Sequence, residues 1–427
     1  MYCGRVIKPS TRGYFPSSWP GEDGGARRRQ VPVGATLSDT PYELTASRFA
    51  PLSTMVVQRG DEEFYLLCHT GGDDAVSWVE QIHPETLEVL RRSVDLPAGP
   101  TWPGGVAVHA NGSLYVTFGK FVHRLLSDLT LVQSLELPRH RPYNSLVITD
   151  DGTLIMKDFG GLRPGDTEAD TAADCEICAI DPETLLVLDT LTLSEASVAR
   201  LSAEANAIYV VGTTSLWRVN WSPKGRRLTL DDSFHPRYLL AEGEGFGWDA
   251  VVVDGAAWFL NNGAGSQRYH GSLLGVGEAN APQCVIRVDL TSGEVARFEI
   301  NNQDHAVVAN PPAVDAQRGI VIGYDSGNGV VTAWNYRRGE RLWSRTLNHG
   351  GHPLLFEETG RVVLGDFDAT RGEEDLVSLD VATGEEIWRC PTGSTLQSVL
   401  FHAPGLGESI FYCSFTTISR LGPSTSK

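Results

Sequence analysis

An all-β fold of the propeller type, eight blades of four antiparallel strands, is what the sequence predicts, and three observations predict it. A unit of apolar strand, polar turn and second strand recurs at residues 82–89, 180–187, 288–295, 334–341 and 379–386. The turn glycines Gly293, Gly339 and Gly384 follow one another at 46 and 45 residues, and repeats of about 40–50 residues with strand patterns alone are the signature of propeller blades. A second unit, an alternating strand with a Gly turn and an apolar strand, lies about 30 residues earlier in each period, as at residues 105–117, 145–156, 250–260 and 354–364. Asn111-Gly112, Asp151-Gly152 and Asp254-Gly255 at its centre are strong hairpin signals.

The elements follow in order. Residues 1–47 form an N-terminal segment expected to contribute a closing strand, and residues 48–423 form the propeller. Units begin near residues 53, 104, 144, 197, 248, 305, 352 and 396; seven blades plus an irregular unit is the alternative count. The last unit, residues 397–421, offers only three strands. An open edge invites aggregation, so a strand from the other terminus should complete it, drawn from residues 30–36 or 2–7. Residues 194–204 are the one stretch with modest helical character.

Composition narrows the function. The 427 residues carry 53 acidic and 35 basic side chains, a formal net charge of −18, which disfavours a nucleic-acid partner. No apolar run approaches the 18 residues of a membrane span, so no membrane partner is expected. Seven cysteines, an odd number without framework spacing, and an N-terminus without a continuous apolar run give the expectation of a reducing, cytoplasmic setting. Cys175 and Cys178 form a CxxC, but placed in a strand they point to opposite faces and read as buried thiols. The phosphate-binding G-x-x-x-x-G-K-[ST], the zinc-binding H-E-x-x-H and the nucleophile elbow G-x-S-x-G are all absent.

Residues 380–388, running Asp380, Thr383, Gly384 and Trp388 in a D-x-x-T-G-x-x-x-W pattern, resemble the repeat of the pyrroloquinoline-quinone-like propellers, and residues 338–343 are a partial copy. Residues 144–158 are similar to the repeat of the SMP-30, gluconolactonase and strictosidine-synthase-like propellers. Both resemblances concern the fold. The second implies a divalent ion (calcium, magnesium, manganese or zinc) held by Asn144 and Asp249, although Ala250 stands where that family has Gly. Pyrroloquinoline quinone itself is not expected, because the quinoprotein dehydrogenases use a vicinal cysteine pair and no Cys-Cys occurs here.

In a propeller the residues leading into each innermost strand surround the central channel. Here they include Trp102, Tyr143, Asn144, Trp248, Asp249, His305 and His352. Asp249, His305 and His352 are the expected catalytic groups, an imidazole serving as general base. Trp102, Tyr143 and Trp248, with Arg268, Tyr269 and His270 from the long loop of blade five, are the expected substrate contacts. The reading is a small-molecule enzyme at the channel mouth, by metal-assisted hydrolysis or lactone opening. A metal-free cyclase or lyase acting on a specialised metabolite, and a non-catalytic scaffold with a protein partner, are the alternatives.

Overall fold

The computed structural model describes residues 12–424, so the candidate closing strand at residues 2–7 lies outside the described residues. Eight sheets are arranged as eight blades, seven of them with their four paired strands in chain order from the axis outwards. Blade 1 runs Ser53–Gly60, Glu63–His69, Ala75–Ile82 and Val89–Arg92, with Leu96–Gly99 as an extra pairing on its third strand. Blades 2 to 7 start with the inner strands Gly105–Val108, Tyr143–Ile148, Ser202–Glu204, Val251–Val253, Ala313–Asp315 and Leu354–Phe356. Blade 8 is composite: Ala403–Pro404, Ile410–Cys413 and Thr417–Pro423 are joined by Tyr42–Phe49 as the outermost strand. Closure is therefore N-terminal, as predicted, but by residues 42–49. Residues 30–36 form no strand.

The recurring D-x-x-T/S turn has a local cause. Asp181, Asp289 and Asp380 each accept, through Oδ1, the backbone N–H groups two and three residues on, at 2.9–3.0 Å. That cap fixes the turn between third and fourth strands. The following position is left-handed, which Gly293 and Gly384 take without penalty and Leu185 takes at φ 49°. Apolar side chains on both faces of the inner strands pack between neighbouring blades, so the core is a ring of inter-blade clusters rather than one centre. Cys175 and Cys178 are buried in the strand Cys175–Ile180 as free thiols.

The helical expectation for residues 194–204 fails. Residues 195–201 are irregular and Ser202–Glu204 is the inner strand of blade 4. The loop instead brings Arg200 to the cavity and then enters the sheet.

The N-terminal segment does something the repeats do not show. Residues 13–31 cross the far end of the channel and bond inner strands one after another. Phe15 and Pro20 exchange backbone hydrogen bonds with Val108, at 2.9 and 2.7 Å, and Trp19 accepts from Gln58 N at 2.8 Å. The Tyr14 hydroxyl accepts from Ile148 N at 3.2 Å. Ala26, Arg27 and Gln30 accept from Ala203, Val252 and Leu355, at 2.7 to 2.9 Å, and Gln30 Nε2 donates to Pro312 O at 3.4 Å. Seven of the eight blades are thereby tied to one irregular segment, which closes that end.

Candidate functional site at the channel mouth

The residues that lead into the inner strands converge on the opposite, open end. They line a cavity of about 230 Å³ walled by Trp102, Trp248, Tyr269, Phe415, Leu273 and Leu400, with His69, Arg200, Asn310, Thr101, Ser266 and Gln267 as its polar members. Trp102 is held by stacking on Phe159, with ring centres 4.2 Å apart and planes 12° off parallel. Tyr269 is fixed by its hydroxyl, which donates to Gln397 O at 2.6 Å. Such a chamber, apolar with few polar groups, is the usual form of a small-molecule site.

Beneath the cavity the axis is filled by charge. Arg28, wholly buried, donates through Nη1 to Asp23 at 3.2 Å, through Nη2 to Glu22, and through Nε to Leu201 O at 2.6 Å. Arg200 donates its backbone N–H to Asp249 Oδ1 at 2.6 Å, its Nη1 lies 3.5 Å from Asp249 Oδ2, and its Nη2 donates to Pro103 O at 3.0 Å. Its guanidinium stacks over Phe401, 4.7 Å from the ring centre, and His352 stacks on the same Phe401 ring at 3.8 Å. His352 Nδ1 lies 2.8 Å from Asp23 Oδ1. An ionised Asp23 can only accept, so Nδ1 of His352 carries a proton toward it.

Three carboxylates (Glu22, Asp23, Asp249) thus stand against two guanidiniums (Arg28, Arg200) in a buried space. Burial raises the Glu22 carboxyl above its ordinary value despite Arg28 and Arg200. Burial pushes Asp23 the same way, but His352 and Arg28 outweigh it and hold Asp23 below the usual carboxylate range. On the cavity wall, burial pushes His69 down to about 4. Its Nδ1 lies 2.8 Å from Thr70 O and must be the protonated nitrogen, so Nε2 is an acceptor. Among the described residues His69 Nε2 and Trp248 Nε1 are buried without a hydrogen-bond partner, and Arg200 Nε is ion-paired with Glu22 Oε2 at 3.7 Å.

The structure sorts the sequence-derived site residues. Trp102, Trp248 and Tyr269 stand on the cavity wall. Asp249 and His352 meet on the axis beneath it, with Asp23 as the third member: one ligand atom from each lies within 4.8 Å of the others. Asn144 is not in that group; its Nδ2 donates to Val198 O at 2.9 Å and its Oδ1 has no partner. His305 is misplaced in the expectation: it is exposed, at φ 65°, eight residues before the inner strand of blade 6, with Nδ1 3.2 Å from Gly277 O. Tyr143 points between blades, its hydroxyl donating to Glu176 at 2.8 Å, because strand alternation sends it away from the face that Asn144 occupies. Arg268 is exposed and paired with Glu278 at 2.6 Å, and His270 is exposed. Neither lines the cavity.

Sequence reasoning missed Glu22, Asp23 and Arg28, which belong to the irregular segment, and Arg200 and His69. Glu22-Asp23 framed by Gly21 and Gly24-Gly25 was the available signal: a sharp turn presenting two carboxylates. Arg200 was hidden by the helical reading of its loop.

No family model matches the chain, and no curated protein matches it by sequence. Solved structures do resemble it in three dimensions. BamB from Moraxella catarrhalis superposes with a TM-score of 0.56 at 14% identity, covering 88% of this chain and 99% of its own. A quinohemoprotein alcohol dehydrogenase from Pseudomonas putida HK5 gives 0.62 at 10% identity over 99% of this chain and 84% of the other. A europium-containing methanol dehydrogenase gives 0.60 at 10% identity over 95% and 90%. At these identities the likeness is one of fold, and the SMP-30-like resemblance finds no counterpart among these three. The chain is an eight-bladed β-propeller with four antiparallel strands per blade.

Proposed function

We propose that the protein is a small-molecule enzyme working at the channel mouth by metal-free acid–base chemistry, of the lyase or cyclase class. The observation that carries this is an apolar chamber with an accepting imidazole, His69, in its wall and a guanidinium, Arg200, at its floor. A base beside a hydrogen-bond donor is the pair needed to take a proton from carbon next to a carbonyl while negative charge grows on its oxygen. His69 Nε2 receives the proton; Arg200, held by Asp249, steadies the oxygen. The apolar walls lower the local dielectric, which strengthens both interactions.

The residues present do not fit pyrroloquinoline quinone. A tricarboxylate needs several cations, and the cavity offers one guanidinium already engaged by Asp249. A divalent ion is the second reading, favoured by the approach of Asp23, Asp249 and His352 within 4.8 Å. Two guanidiniums in the same cluster weigh against it.

The test is hydrogen–deuterium exchange at the carbon beside the carbonyl of 4-hydroxyphenylacetone in D₂O, followed by NMR. Exchange accelerated at least about tenfold, kept after chelation and lost in His69→Phe, supports the acid–base reading. Activity lost on chelation, with about one equivalent of divalent metal that Asp249→Asn sheds, favours the metal reading. Neither activity nor metal leaves a binding scaffold.

A further inference from the structure

We infer that small molecules enter the mouth cavity from the side, through the gap above blade 2, and that the Arg163–Asp73 ion pair and the Trp102–Phe159 stack form the gate across that route. This rests on the reading of the cavity as a small-molecule site and adds how its occupant gets in.

The gap comes from loop lengths. On the mouth face a loop joins the second and third strands of each blade. In blade 2 it is only Gly119 and Lys120, whereas residues 70–74 join these strands in blade 1, residues 159–174 in blade 3 and residues 261–282 in blade 5. Between the loops of blades 1 and 3 lies a second cavity of about 380 Å³, lined by Asp73, Pro100, Arg141, Phe159, Arg163 and Ala169. The stacked pair stands between the two cavities, with Trp102 lining the mouth cavity and Phe159 the outer one.

The two long loops over the mouth are fastened unequally. The blade 5 loop is held to Gln397, wholly buried, by four hydrogen bonds. Tyr269 Oη donates to Gln397 O at 2.6 Å, Leu273 N and Ser272 Oγ to Gln397 Oε1 at 2.6 and 3.1 Å, and Gln397 N to Gly271 O at 2.8 Å. Among the described residues the loops of blades 3 and 1 share one polar contact, Arg163 Nη1 to Asp73 Oδ1 at 3.0 Å, and Asp73 is 80% exposed. An exposed pair of this kind is weak and is screened by salt. Its release costs Arg163 little, because Nε and Nη2 stay bonded to Asp166 at 3.0 and 2.9 Å.

The blade 3 loop is fixed at its base and free at its tip. Gly160 N donates to Ser197 O at 2.9 Å, and a Cβ on Gly161 would lie 2.6 Å from Val198. Residues 164–165 and 167–171 are exposed, and Pro164 at the tip lines the mouth cavity. Lifting the tip off Asp73 therefore opens the wall between the two cavities and leaves every blade intact.

Cysteine labelling tests this on the full chain without a ligand. Ala309→Cys places a thiol in the mouth cavity, and its alkylation by iodoacetamide, a small neutral reagent, is timed by mass spectrometry of that peptide. Asp73→Asn, which removes the ion pair, should speed labelling about two- to fivefold. Sodium chloride at about 1 M should do the same when Asp73 is present and nothing once it is Asn. Ala169→Trp, at an exposed position lining the outer cavity, should slow labelling at least about fivefold. Circular-dichroism melts show which variants are folded, and Val399→Cys on the same cavity wall replaces Ala309→Cys if that one is not. A rate that either Asp73→Asn or Ala169→Trp leaves unchanged, or no labelling of the folded protein, overturns the inference. Gated labelling without exchange on 4-hydroxyphenylacetone would leave this inference standing and remove the enzymatic one.

Discussion

Two stretches of the same N-terminal segment fasten this ring, and they do so by opposite means. Residues 42–49 add one regular strand to one blade, pairing Tyr42 to Pro423 through Phe49 to Thr417. Residues 13–31 have no regular structure beyond one short 3₁₀ turn and one isolated bridge, yet they bond seven blades through scattered hydrogen bonds and three buried ionic side chains. The strand depends on periodicity and tolerates change on its outer face. The crossing segment depends on particular residues, three of them (Asp23, Arg28 and Gln30) in the left-handed region at φ 51°, 51° and 57°. Arg28 and Gln30 adopt it at a cost that their surroundings must offset. Sealing the axis is thus residue-specific, whereas closing the ring is generic.

The largest expected effect breaks the comparison at its ionic centre. Arg28→Met keeps the bulk but leaves Glu22 only Arg200 at 3.7 Å and Asp23 only His352 at 2.8 Å. Removing one partner of a buried pair costs about 3–5 kcal/mol, so denaturant melts should show a loss of that size. An unchanged midpoint would mean that the crossing segment contributes nothing to stability.

Tyr42→Ala probes the strand. Tyr42 stacks on Trp388 of blade 7, ring centres 4.3 Å apart, and its hydroxyl donates to Glu408 O at 2.7 Å. Truncation should cost about 3 kcal/mol. That cost should be the same at pH 5 and pH 8, since the lost contacts are a ring stack and a neutral hydrogen bond.

Here the two stretches should part most clearly, because the crossing segment titrates. Asp23 is held below its unfolded value, so its contribution is present above about pH 4 and is lost as pH falls through the folded value. Glu22 is raised by burial, so its contribution runs the other way, present at acid pH and lost as pH rises. Asp23→Asn should therefore destabilise by about 1–3 kcal/mol at pH 7 and converge on the parent in acid. Glu22→Gln should gain on the parent as pH rises from 5 to 8. Thermal melts from about pH 2 to 8 check both signs; parallel curves for all proteins would refute the assignment.

What was legible in the sequence follows the same division. Blades repeat, so alternation, turn glycines and the Asp-capped turns at Asp181, Asp289 and Asp380 recur often enough to be read. Blade number and N-terminal closure followed from counting strands, and Trp102, Trp248, Asp249 and His352 from counting three or so residues back from each inner strand. The same count failed at blade 6, because a long loop displaces His305 outward and Asn310 takes the channel position. It failed at Tyr143 because one residue of offset reverses a strand side chain. Asp23 and Arg28 were beyond it altogether. A segment that makes a few irregularly placed bonds to each blade has no period, and its partners, such as His352, lie more than 300 residues away in sequence.

The smallest expected effect sharpens the claim that closure is generic. Phe49 ends the closing strand with 73% of its surface exposed, and its backbone pairs with Thr417 whatever the side chain. Phe49→Ser should shift stability by no more than about 0.5 kcal/mol, since solvent already covers most of the ring. Should the change instead lower the melting midpoint by several degrees, the outer strand would be held by its exposed side chains as well as by its ladder. Closure would then depend on particular residues just as the axial crossing does, and the distinction between the two stretches would be one of degree.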